Sequence, residues 1–207
     1  MHRRRWVAIA ALIVAIGAMG ACLPTTPEPT GDVVPVMGPN EVSAAKVAAW
    51  FRANTSVTYR ATVSVETLAR YFAEEGADEG VRGDLAFVQA VLETGWFGFS
   101  GSVPPSSNNF AGIGATDSGG MPESFPDART GVRAQIQHLR AYADPSVTTS
   151  NLSHAVVDPR FHLVSPKGRA PSWNDMGNGN WATDPNYASK IITLYNRVRA
   201  YAGLEPV

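Results

Sequence analysis

Cysteine is almost missing from this chain of 207 residues: Cys22 is the one thiol, so no disulfide within the chain can staple the fold. Metal-ligand spacing is missing too, since His138, His154 and His162 fall at no zinc-type interval and have no Cys partner. No Gly-rich phosphate loop joins a strand to a helix, which removes nucleotide binding. Serine–histidine hydrolysis lacks its nucleophile elbow. No metal and no cofactor are therefore expected. Neither sign of charge dominates: 17 Lys and Arg stand against 18 Asp and Glu, and no basic stripe marks a nucleic-acid partner. No internal repeat is visible. No apolar run reaches the ~20 residues that a membrane-spanning helix requires.

What the N-terminus does contain is a basic start, His2-Arg3-Arg4-Arg5, followed by a short apolar run from Trp6 to Met19. That pattern reads as an export signal over residues 1–21. The run ends at Met19-Gly20-Ala21-Cys22, which resembles a bacterial lipobox with Met where Leu is usual. Lipidation at Cys22 would hold the exported protein on the outer face of a membrane. Ordinary cleavage after Gly20, giving a secreted protein, is the alternative. Residues 22–39 carry five prolines and no helical or strand period, so they read as a semi-extended tether. At ~3.1 Å per residue it would reach roughly 50 Å. Residues 40–207 then make one domain, long enough for a sizeable core. Losing Arg3, Arg4 and Arg5 with the signal leaves 14 basic against 18 acidic residues.

Period and punctuation place five helices in that domain. Val42, Ala45, Ala49 and Trp50 mark a face near 41–52. Ser64 caps a second helix carrying Val65, Leu68 and Phe72, with Glu66 in its first turn. A third starts near Asp84, presents Leu85, Val88 and Leu92, and stops at Gly95. Asp127 caps a fourth through Val132, Ile136, Leu139 and Tyr142. The last has Asp184 as N-cap and Pro185 at its first position, then Ile191, Ile192, Tyr195 and Val198, and ends at Gly203. Two long stretches, 97–126 and 144–183, read as ordered loops lining a cleft. Thr55–Val63 gives no clear signal. The fold class is mainly α, α+β at most, with at most a short β-hairpin between Ile113 and Phe125.

The chemistry concentrates between Gln89 and Gly114. Glu93 falls in the last turn of the third helix, where the negative end of the dipole disfavours its charge. Neighbouring aromatic surface, Trp96 above all, would desolvate it as well. Both effects favour the protonated form, which suits a general acid near neutral pH. Taken alone, such a Glu is ordinary surface. Its neighbours give it weight: Gly95-Trp96-Phe97-Gly98-Phe99 forms an aromatic turn, and Asn108-Asn109-Phe110-Ala111-Gly112-Ile113-Gly114 follows.

Leu92-Glu93-Thr94-Gly95-Trp96, the Asn108–Gly114 segment and Asp184-Pro185-Asn186-Tyr187-Ala188 together resemble the family-73 glucosaminidases of bacteria. Glu79–Asp84 and Gly131–Leu139 look like its Gram-positive branch. The resemblance covers about 64–202 and implies a lysozyme-like helical scaffold that hydrolyses the β-1,4 bond after N-acetylglucosamine in peptidoglycan. It makes Glu93 the general acid and places Tyr187 in the cleft opposite it. Glu123, thirty positions beyond Glu93, is the candidate second carboxylate, with Asp117 in the same loop. Gln89, Trp96, Asn108, Asn109, Phe110, Gly112 and Trp181 become candidate substrate-binding residues. Gly112 and Gly114 would let the loop backbone approach the glycan. Plain structural roles compete at several positions: turn chemistry for the two Asn, a first-turn core aromatic for Tyr187, and core packing for Trp96, Trp173 and Trp181. His138 reads as a packed or surface residue.

The resemblance implies peptidoglycan as partner; the lipobox-like segment adds a membrane reached through Cys22, and a tethered single domain is expected to be a monomer. A muramidase or lytic transglycosylase on the same scaffold is the enzymatic alternative. A catalytically silent wall-binding lipoprotein is the alternative from another class.

Overall fold

A computed structural model describes residues 33–115 and 121–207. The signal segment, Cys22, residues 23–32 of the tether and Asp117 lie outside them. Five α-helices carry the architecture: α1 Ala44–Asn54, α2 Val65–Glu79, α3 Gly83–Glu93, α4 Ala128–Ala143 and α5 Tyr187–Ala202. Among the described residues there is no strand, and no helix is long and apolar enough to cross a membrane.

α3 is the axis of the core. Every residue from Gly83 to Val91 is buried, because α2, α4 and α5 all pack on it. A helix with apolar residues on every side sits inside, and its two polar residues there, Asp84 and Gln89, are buried with hydrogen-bond partners. The helix starts follow the expected chemistry. Ser64 Oγ accepts the Thr67 N–H, and Asp127 Oδ1 accepts the Thr130 N–H, each satisfying a first-turn donor. Gly203 ends α5 in the left-handed region at φ 82°. Tyr195 on α5 joins Arg82 and Asp84 in a buried network at the head of α3.

Three expectations need correcting. The domain begins earlier than Asn40. Val34 and Val36 are 2% and 0% exposed, and their backbones pair with Trp173, Pro171 and Arg82. Their inward alternation is a strand's period of two, hidden by the flanking prolines. In α1, Ala45 is exposed, and the buried face is Val47, Ala48, Trp50 and Phe51. α5 begins at Tyr187, because Asp184 closes a turn ahead of it. Its Oδ1 accepts the Asn186 N–H and its carbonyl accepts the Tyr187 N–H. The described residues between Ile113 and Phe125 form no hairpin ladder. One backbone bond joins the Glu123 N–H to Ile113, and the Asn109 side chain fills the place of further pairing.

Candidate active site

α3 ends on Glu93, and the chain then turns through residues that bulky side chains rarely tolerate. Gly95, Trp96, Phe97 and Phe99 all have φ between 50° and 61°. Left-handed backbone at an aromatic residue costs on the order of 1 kcal/mol or more. Burial holds it in place, since Phe97 and Phe99 are 0% and 5% exposed among Phe51, Phe87 and Phe110. The turn carries the chain away from the helix end and leaves the Glu93 side chain facing a groove.

The groove passes Glu93 on both sides. A recess of about 320 Å3 lies toward Ser100, Ser102 and Val103, and one of about 500 Å3 lies toward Trp181 and Thr183. A smaller recess continues past Trp181 to His138, Tyr142 and Arg160. Gly112 borders all three. It sits at φ 63°, and a methyl group there would lie 3.8 Å from Glu93 Oε2. The left-handed backbone is what favours glycine here, and it brings the loop beside this carboxyl.

Two donors meet on the other oxygen. The Tyr187 hydroxyl donates to Glu93 Oε1 in a short bond, and Trp181 Nε1–H donates to it at 3.2 Å. Trp181 is held between His138 and Tyr142, with ring centroids 5.2 and 5.4 Å away. His138 is fixed in turn by Asp158, Nδ1 to Oδ2 at 2.6 Å. Glu93 keeps an exposed edge on the groove, but its carboxyl is crowded by protein, and the crowding governs its charge. Desolvation raises its pKa above the usual 4.5, against the opposing pull of Tyr187 and then Trp181. Tyr187, buried beside it, has its own pKa raised well above 10, so it stays a proton donor.

Several expected roles change. Tyr187 does not stand across the cleft; it lies directly on Glu93, because the first turn of α5 packs against the end of α3. Gln89 is 0% exposed and cannot touch a ligand in the groove. One turn before Glu93 on α3, it donates from Nε2 to the Tyr187 oxygen at 2.9 Å. Phe110 is 1% exposed and packs on Phe72 and Phe97. Trp96 stacks on Trp50 and Phe51 and borders a separate groove beside Leu194 and Arg197. Trp173 is core, at 0% exposure.

The two asparagines are loop builders. Asn108, left-handed at φ 51°, accepts from Thr62 Oγ1 and donates to the Phe125 carbonyl. Its carbonyl lies so close to α4 that a Cβ at Gly131 would be 1.8 Å away. Asn109 donates to the carbonyls of Ile113 and Glu123 and accepts the Ile113 N–H at 3.0 Å. Its side chain thus shapes the loop that delivers Gly112. Among the substrate-binding candidates, Asn109, Gly112 and Trp181 border the recesses beside Glu93, Asn109 with only 1% of its surface exposed.

Glu123 is half-buried and faces Arg160, Oε1 to Nε at 3.4 Å. Glu75, Asp78 and His154 bring ligand atoms within 4.8 Å of one another. Both Glu75 oxygens are already held by Arg129 and Arg133, so this is an ion-pair cluster and no metal centre is read from it.

Residues 69–200 match the sequence model of the glucosaminidase family, described as mannosyl-glycoprotein endo-beta-N-acetylglucosaminidase. An uncharacterized protein of Borreliella burgdorferi is 42% identical over 137 residues, which is 66% of this chain and 64% of that protein. Less than two thirds of that relative's length is therefore matched. Among solved structures, a catalytic mutant of S. aureus autolysin E in complex with the disaccharide NAG-NAM is similar at TM-score 0.48 and 14% identity. The likeness covers 84% of this chain and 74% of that one. Autolysin E in complex with a muropeptide, NAM-L-ALA-D-iGLU, gives 0.47 and 17%, over 86% and 77%.

Proposed function

The chain belongs to the glucosaminidase family, and from that premise we propose that it is a peptidoglycan hydrolase, an endo-β-N-acetylglucosaminidase. The observation that carries this reading is Glu93: a carboxyl with raised pKa, held by two neutral donors in a groove open on both sides. A groove open at both ends suits a glycan strand gripped along its length.

In the proposed reaction a glycosidic oxygen enters beside Gly112 and takes a proton from Glu93 as the C–O bond breaks. The carboxylate that forms is stabilised by the two bonds already made to Oε1. Protonation of the leaving group by a positioned acid contributes on the order of 10²–10⁴ in rate. Trp181 offers an indole face for a pyranose ring. Glu123 is the carboxylate proposed to direct the second half of the reaction, by activating water, and it pairs with Arg160, which borders the groove. The substrate's own N-acetyl group is the alternative nucleophile.

Lipidation of Cys22 completes the reading. The domain would then work on wall close to the membrane. Replacing Cys22 by Ser should release the processed protein from the membrane fraction; its retention there would remove this part of the reading.

Fragments released from purified cell wall test the activity. Reducing N-acetylglucosamine ends are expected. Reducing or anhydro-muramic ends would make the protein a muramidase or transglycosylase, and wall binding without release would make it a binding lipoprotein.

A further inference from the structure

We propose that Gln135, in the middle of α4, is a positioning residue that sets which oxygen of Glu93 carries the transferable proton. The inference deepens the proposed function and rests on Glu93 being its acid.

The reasoning starts from a group whose direction is not in doubt. The carbonyl of Ala86 can only accept. The Gln135 side-chain atom 3.0 Å from it must therefore be the amide nitrogen. That same Nε2 lies 2.8 Å from the side chain of Gln89, so the Gln89 atom facing it is the acceptor, Oε1. Gln89 is then obliged to present Nε2–H to Tyr187, at 2.9 Å. With its oxygen receiving that bond, the Tyr187 hydroxyl sends its proton outward, to Glu93 Oε1. Trp181 Nε1–H arrives at the same atom.

Two donors on Oε1 leave that oxygen as an acceptor. The carboxyl proton belongs on Oε2, the oxygen beside Gly112 and the groove. Each link is fixed by the one before it, and Gln89, Gln135 and Tyr187 are all buried. Gln135 Oε1 is left without a protein partner, but turning the amide over would set that oxygen against two acceptors, the Ala86 carbonyl and Gln89 Oε1. Gln135 touches neither groove nor acid, so its action is through Tyr187.

The charged and titratable groups around this site are few. Tyr187 faces Glu93 from α5. His138 stands behind Trp181 with Asp158, and Arg160 pairs with Glu123 at the far end of the groove. None of them lies between Gln135 and Tyr187 in the chain of bonds.

Two variants test the inference. Gln135→Met fills the space and removes the anchor. Gln135→Leu likewise deletes the donor with a differently branched side chain, which frees the Gln89 amide to turn its oxygen toward Tyr187 and draws the Tyr187 proton away from Glu93. Losing a donor to the charged form moves the Glu93 pKa further up. In the full-length protein labelled with 13C at glutamate side chains, the Glu93 midpoint is expected to rise in both variants. kcat on cell wall should fall roughly tenfold, about the worth of one hydrogen bond, with KM little changed. In a Tyr187→Phe background, neither variant should change midpoint or kcat further.

An unmoved Glu93 midpoint in a folded variant would overturn the inference, and so would an equal effect in the Tyr187→Phe background. The NMR midpoint needs no turnover. A shifted midpoint in a protein that cleaves no wall would leave the Gln135 chain standing and overturn the proposed function instead. Should Gln135→Met unfold, Gln135→Leu carries the same readings.

Discussion

Glu75 and Glu93 sit on neighbouring helices of one core, and their surroundings drive them in opposite directions. Glu75, 0% exposed in the middle of α2, would be raised by burial, but bonds and charges from Arg133 and Arg129 on α4 outweigh it and hold its pKa below 4.5. Glu93, at the open end of α3, is exposed on one edge, yet the protein around its carboxyl desolvates it; what meets it are a phenol and an indole N–H, and its pKa is raised. Burial sets the size of the problem, and the partner's charge decides its sign. A guanidinium clasp makes a carboxylate a structural tie. Neutral donors leave a carboxyl able to keep and give up a proton.

Substitution at the two glutamates should separate these roles. Glu93→Gln removes the proton and keeps the shape, and wall cleavage is expected to fall by roughly 10²–10⁴ or more. Its thermal midpoint should stay level or rise, since a folded-state pKa above the unfolded one means the ionised group opposes folding at neutral pH. Release assays and thermal unfolding on one preparation check both halves. Glu75→Ala should do the reverse: about 3 kcal/mol of stability lost, because two guanidinium groups lose their partner, with kcat per folded molecule little changed. The Glu75 contribution is present above its unfolded pKa and disappears as pH falls through the lower folded one. Acid unfolding followed by circular dichroism should therefore show a weakened acid transition in the variant.

Smaller changes sharpen the contrast at the Glu93 end alone. Trp181→Phe keeps a ring between His138 and Tyr142 but deletes a donor to Oε1. Its loss should raise the Glu93 pKa further, so the alkaline limb of the kcat/KM profile moves to higher pH while the rate falls by about tenfold. Gly112→Ala should cost about 1 kcal/mol from its left-handed backbone, measurable in urea, and slow cleavage by narrowing the approach to Oε2.

Much of this was legible in residue order. Ser64 and Asp127 announce α2 and α4 because capping is local chemistry, and Glu93 stands out as a carboxylate at a helix end before a glycine-rich turn. The roles of Gln89, Tyr187 and the two asparagines were misplaced, because a motif names residues without saying which way they face. Asn109 bonds to backbone four and fourteen positions away, and those bonds exist only once the loop has closed. Gln135 and His138 were harder still. Their partners lie 46 and 20 residues away, on α3 and in the loop after α4. One signal was present: Gln135 and Gln137 flank Ile136, and both are 0% exposed. Two buried amides in an apolar stripe need partners, and the nearest polar residue on the core helix is Gln89.

The central contrast between the two glutamates can be read in one experiment, a 13C titration of the glutamate carboxyls in the folded protein, assigned with Glu75→Gln and Glu93→Gln. The account predicts a Glu93 midpoint above 4.5 and a Glu75 midpoint below it. A Glu93 midpoint at or below that of Glu75 would contradict it, because the groove would then hold a resident carboxylate and no acid.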